Sequence, residues 1–124
     1  MTLPSFLPPI LALGADWDET LRSLFLIFKH DFIDRQPYLE GKRVVHDQTA
    51  REQGLPEGFW HLIGGADHLF EPRRAERLAW AHPTIINSRA NEVRTWRYRE
   101  GSGRVRTYLW LEELDYVIVL EEKP

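Results

Sequence analysis

From Asp16 to Phe32 the apolar side chains Trp17, Leu21, Leu24, Phe25, Phe28 and Phe32 return at three- and four-residue steps. That step puts them on one face of a helix, and Asp16 and Glu19 have the spacing of a capping box at its start. His30, near the other end, suits the negative pole of the helix dipole. "RQPYLEGKRVVHD" follows, with a turn at Glu40–Gly41 and a short strand around Val44–Val45. The polar stretch "QTAREQGLPEG" has room for one helical turn and delivers the chain to Phe59–Trp60–His61. In "EPRRAERLAWAH", Ala75, Leu78, Ala79 and His82 share a helical face behind Pro72. Pro83 either ends that helix or starts a second one through "TIIN".

The period then changes. In "EVRTWRYRE" the side chains alternate, with Val93, Thr95, Arg97 and Arg99 on one side and Arg94, Trp96 and Tyr98 on the other. "GSG" supplies a turn, "RVRTYLWLEE" alternates again, and "LDYVIVLEE" is nearly continuous apolar sequence suited to a central strand. Helices first and strands after predict an α+β fold, with N-terminal helices packed on a C-terminal antiparallel β-meander. Residues 1–13, interrupted by Pro8–Pro9, read as an extended arm that lies over the core or is loosely ordered. Residues 14–124 read as one domain, which the 124-residue length suits.

Composition adds two constraints. There is no cysteine, so disulfides, thiolate nucleophiles and Cys-ligated zinc are excluded, and a cytoplasmic location is compatible. No stretch is long and apolar enough to predict a membrane span. The net charge of −3 conceals an uneven distribution. Residues 71 to 108 hold nine arginines and no lysine against four glutamates, a local excess of +5 that leaves −8 elsewhere. An arginine field on an acidic chain fits either a solvated sheet face or an anion-binding surface.

The five histidines show no HxH or HExxH spacing, and no metal or cofactor is expected. Ser23, Ser88 and Ser102 lie outside any nucleophile-elbow pattern. The arginines say more. Five of them interleave with Trp96, Tyr98 and Tyr108 in "VRTWRYREGSGRVRTY". Guanidinium forks take two phosphate oxygens at once, and aromatic rings stack on unpaired bases. His61, between Trp60 and Leu62, is either a core histidine with a satisfied hydrogen bond or a proton-transfer group in a pocket. His46 beside Asp47 fits an oriented base or an exposed turn equally well.

"GFWHLIGG", then "RRAERLAWAHPTII", then an arginine-rich strand pair and "LDYVIVLEE" resemble the phage-associated nucleases of the Barnase/EndoU/colicin D/RelE-like superfamily. The resemblance spans residues 17 to 122, and its motifs are short, so their order and spacing carry it. It implies an endoribonuclease of toxin, phage or mobile-element type that needs no metal and cleaves RNA by 2′-hydroxyl attack on the adjacent phosphate. It further implies RNA, such as tRNA or mRNA, as substrate and an immunity- or antitoxin-like protein as partner. In that scheme His61 is acid or base and Arg77 binds the developing charge. Arg74, Arg94, Arg97 and Arg106 contact the RNA backbone, and Tyr108 stacks or donates a hydrogen bond. Members of that branch continue into a further strand with a Thr-Ala-Tyr-like stretch, whereas this sequence ends at "EEKP". That departure keeps a second expectation open: a module of the same fold that binds nucleic acid or protein without turnover.

Overall fold

The computed structural model describes residues 2–64 and 69–123. Its first helix, α1 (Trp17–Phe28), begins where the sequence pattern places it, with the Asp16 carboxylate accepting a hydrogen bond from the Glu19 amide at 3.1 Å. Leu21, Leu24 and Phe28 on its inward face are buried, whereas Trp17 stays partly exposed and meets the Phe70 ring edge-on. The helix then widens into a π-helical turn over Lys29–Asp34. The wider turn keeps Phe32 stacked on Phe28 and buries Asp31. His30 therefore does more than meet a helix dipole: its Nδ1 lies 2.9 Å from Asp31 Oδ1.

The strand expected at Val44–Val45 forms earlier. β1 (Tyr38–Leu39) and β2 (Lys42–Arg43) make a minimal hairpin closed by Glu40 and Gly41, both with positive φ. That is the backbone a two-residue hairpin turn requires, and glycine supplies it without strain. A 3-10 turn at Glu52–Gly54 fills the polar connection. The segment carrying Phe59–Trp60–His61 is itself helical, as α2 (Glu57–Gly64), with Phe59, Trp60 and Ile63 buried. Gly64 at its end faces the Leu69 carbonyl so closely that an added Cβ would sit 2.8 Å from it. Gly65 and His68 lie outside the described residues.

The helix expected over residues 71–82 is broken. α3 (Pro72–Glu76) ends at Arg77, whose φ of −104° and ψ of 11° leave the helical region. A 3-10 turn at Leu78–Trp80 leads into α4 (Ala81–Ile86), where Pro83 sits in the first turn, as in a second helix. The break lets Ala75, Leu78, Trp80 and Ala81 all turn inward, which one straight helix of that length would not allow. The N-terminal arm lies over this core. Leu7 is buried, the Leu11 amide donates to the Glu76 carbonyl at 2.9 Å, and the Trp80 indole N–H donates to the Pro8 carbonyl at 2.8 Å.

The C-terminal third is the expected antiparallel meander of β3 (Arg94–Arg99), β4 (Val105–Leu111) and β5 (Tyr116–Glu121), in the order β3-β4-β5. The apolar β5 is an edge strand and β4 is central, the reverse of the expectation from hydropathy. In a meander the middle strand in sequence is also the middle strand in space. Leu109, Leu111 and Ile118 point inward and close the core beneath the helices. The fold is α+β.

Candidate functional site

The inner face of the sheet is covered only in part. Where β3, β4 and β5 run past the helices, a groove of about 1370 Å³ opens between Thr95, Arg97, Thr107 and Leu120 on one side and α2 with the β1–β2 hairpin on the other. His61 and His46 both line it. His61 is exposed: the helical period that buries Phe59, Trp60 and Ile63 turns it outward. His61 therefore stands on the groove wall and outside the core.

Gly58 explains why the segment carrying His46 lies against the helix carrying His61. An added Cβ there would lie 2.6 Å from the His46 Cβ, and the Gly58 amide donates to the Asp47 carbonyl at 2.9 Å. The segment carrying His46 therefore presses directly on the first turn of α2. His61, three residues after Gly58, projects from the same side of that helix. The His46 ring also packs edge-on against Phe28, with centroids 5.0 Å apart. This partial burial lowers the His46 pKa below the ordinary histidine value, and the Asp47 charge only partly opposes it. The neutral ring, a proton acceptor, is favoured. Asp47 is held low by hydrogen bonds from Thr49, whose amide donates at 2.9 Å.

Cations and acids share the groove. Arg97 Nη2 lies 2.6 Å from Glu122 Oε2, and Lys42 Nζ lies 3.5 Å from the other oxygen of the same carboxylate. The Arg97 hydrogen bond is the main reason the Glu122 pKa falls below its usual value. Arg43 is exposed on the same wall and makes no ion pair among the described residues.

The other expected site residues lie elsewhere. Arg74 does not line the groove but holds its helix from behind, donating from Nη2 to the His61 carbonyl at 3.1 Å. Arg77 is largely covered, with 18% of its side chain exposed. It donates to the Arg73 carbonyl at 2.8 Å and sits over the Trp80 ring, 5.3 Å from its centroid. Arg74 and Arg77 both face the buried Tyr116 hydroxyl, whose pKa burial raises while the two guanidinium charges pull it down. Arg94, Arg106 and Tyr108 project from the opposite, outer face of the sheet, as their strand alternation requires. Arg94 pairs there with Glu112, Arg106 pairs with Glu100 at 3.1 Å, and Tyr108 stacks on Trp96.

Of the residues expected to contact RNA or act on it, the groove gathers His61 and Arg97. It adds His46, Lys42 and Arg43. The tight Glu40–Gly41 turn was the sequence signal for the latter two, because it folds Lys42 and Arg43 back beside the helices. A second cleft of about 590 Å³ lies next to His30, Asp31 and His82. Its polar groups are already engaged with one another, since His82 Nε2 meets the Arg35 carbonyl at 2.9 Å and Asp31 meets His30. Among the described residues no three His, Asp or Glu side chains gather as metal ligands, and no helix is long and apolar enough to cross a membrane. Comparison with protein-family models, with curated proteins and with solved structures finds no match.

Proposed function

We propose that this protein is an endoribonuclease that cleaves RNA without a metal, with His46 and His61 moving the protons. The observation that carries the reading is the pairing of two histidines from separate segments on one open groove, beside cationic side chains. Cleavage by the 2′-hydroxyl needs a base to take its proton and an acid to protonate the departing 5′-oxygen. The new bond joins the 2′-oxygen to phosphorus as the bond to the 5′-oxygen breaks, leaving a cyclic phosphate. His46, whose partial burial lowers its pKa, suits the base, which leaves His61 as the acid. Arg43 and Arg97 suit the phosphate oxygens, whose charge grows as phosphorus becomes five-coordinate. Arg74 positions His61 through its backbone carbonyl.

The test is incubation of purified protein with single-stranded RNA or tRNA in the presence of a chelator, with the fragment ends analysed. Fragments ending in 2′,3′-cyclic phosphate are expected. His46→Ala and His61→Ala should each slow their formation by about 10²-fold or more. Undiminished cleavage by the double variant would remove both histidines from the mechanism. A second reading, binding without turnover, is favoured by the engagement of both Arg97 and Lys42 with Glu122. RNA retained without fragmentation, and released steeply by salt, would establish it instead.

A further inference from the structure

On the face of the sheet opposite the Thr95, Arg97 and Thr107 side chains, the strands carry an arrangement that RNA cleavage does not use, although Trp96, Val119 and Glu121 also border the groove. Strand register places Arg94, Trp110 and Val117 in one row, Trp96, Tyr108 and Val119 in the next, and Tyr98, Arg106 and Glu121 in the third. The middle of this grid is aromatic and aliphatic, yet it faces solvent: Trp96 is 43% exposed, Tyr98 57%, Val117 41% and Val119 46%. An antiparallel sheet with one covered face ordinarily presents polar side chains on the other.

The charged residues are confined to the margins and satisfy one another. Arg94 pairs with Glu112, Arg106 with Glu100, and Arg104 with Glu121 at 3.5 Å. An apolar centre rich in Trp and Tyr inside a margin of arginine ion pairs is the anatomy of a protein-binding surface. It suits nucleic acid poorly. The Trp96 and Tyr108 rings stand stacked on each other, 5.1 Å apart and 4° from parallel, so each occupies a face a base would need. The marginal guanidinium groups are already neutralised, which leaves little charge for phosphate to exchange.

Size restricts the partner further. Three strands about 4.8 Å apart, with five residues at about 3.3 Å each, make a patch about 15 Å on a side. That is well short of the roughly 800 Å² per partner of a stable interface, so the patch suits a reversible contact with one small element and not a stable dimer of this chain. One α-helix, about 10 Å across, covers the patch in three turns.

We propose that the outer face of the β3-β4-β5 sheet docks an amphipathic helix of a protein partner, whose apolar stripe lies over Trp96, Tyr108 and Val119. The experiment is an NMR titration of the full chain with a stapled 14-residue helical peptide of zero net charge, carrying one leucine stripe. Saturable shifts are expected at the Trp96 and Trp110 indole N–H groups and at the Val117 and Val119 amides, with His61 unmoved. Val117→Lys and, separately, Tyr98→Lys should each weaken binding tenfold or more, while the circular dichroism spectrum and RNA cleavage stay as in the parent. A peptide of the same composition with scattered leucines should leave the spectrum unchanged. Three results would each overturn the proposal: no saturable shift on this face, equal shifts with single-stranded oligouridylate, or the same shifts from raising the protein concentration alone.

Discussion

His46 is poised between hydrocarbon and solvent, and its chemistry follows from that position. Burial against Phe28 penalises the imidazolium, so the ring loses its proton at a lower pH than histidine ordinarily does. A base must be neutral to act, so the acidic limb of the cleavage rate profile should fall below about pH 6.5, the ordinary histidine value. A limb at or above that value would contradict the assignment of His46 as base. The same shift links to folding. A depressed folded-state pKa contributes stability that is present above the unfolded value and is lost as pH falls through the folded one. His46→Gln should therefore flatten the decline in melting temperature on acidification through that window. Glu122 offers a complementary test. Its carboxylate engages both Arg97 and Lys42, so Glu122→Gln frees two cations in the groove. RNA retention at low salt should rise several-fold and its salt dependence should steepen, as measured by fluorescence anisotropy.

Elements meet through backbone contacts that single glycines permit. Gly58→Ala would drive a Cβ into the His46 side chain and the Asp47 backbone, so the contact between this connecting segment and α2 must open. Overpacking of this kind costs about 1–3 kcal/mol, which urea unfolding would register. Cleavage should fall by more than the stability loss explains, because the displaced segment carries His46. Gly101→Ala is the control. Nothing lies within 4 Å of its added Cβ, so stability and cleavage should both be unchanged. At this scale much was readable in advance. Alternation over residues 93–99 assigned Arg97 and Arg94 to opposite faces, and Asp16 marked the start of α1. Other features were not. The break at Arg77 arises because Leu78 and Trp80 must reach the core together, a demand that helical periodicity does not express. The hairpin closed before Val44 because its turn needed two positive-φ residues, and Glu40–Gly41 provided them.

Over the whole molecule, the N-terminal arm acts as a third covering layer for the helices. Leu7 is buried and Pro8 accepts the hydrogen bond of the Trp80 indole, itself fully buried. Removing residues 2–13 should cost about 1.5–3 kcal/mol for the leucine and about 1–3 kcal/mol for the unpaired indole N–H. Chemical denaturation would show a midpoint shift, and the Trp80 emission should move to the red as water reaches it. A truncated chain as stable as the parent would show that the arm only rests on the core. The division between chain and fold is clear in these terms. Helices before strands, the antiparallel meander, the division of each strand between two faces and the local excess of arginine all follow from residue type and spacing, because each depends on neighbours within a few positions. The presence of His46 and His61 on one groove, the pairing of four of the five hairpin arginines with glutamates and the exposed aromatic face did not follow. Each joins segments distant in sequence, and only the packing of helices against one side of the sheet determines which side chains meet and which are left facing water.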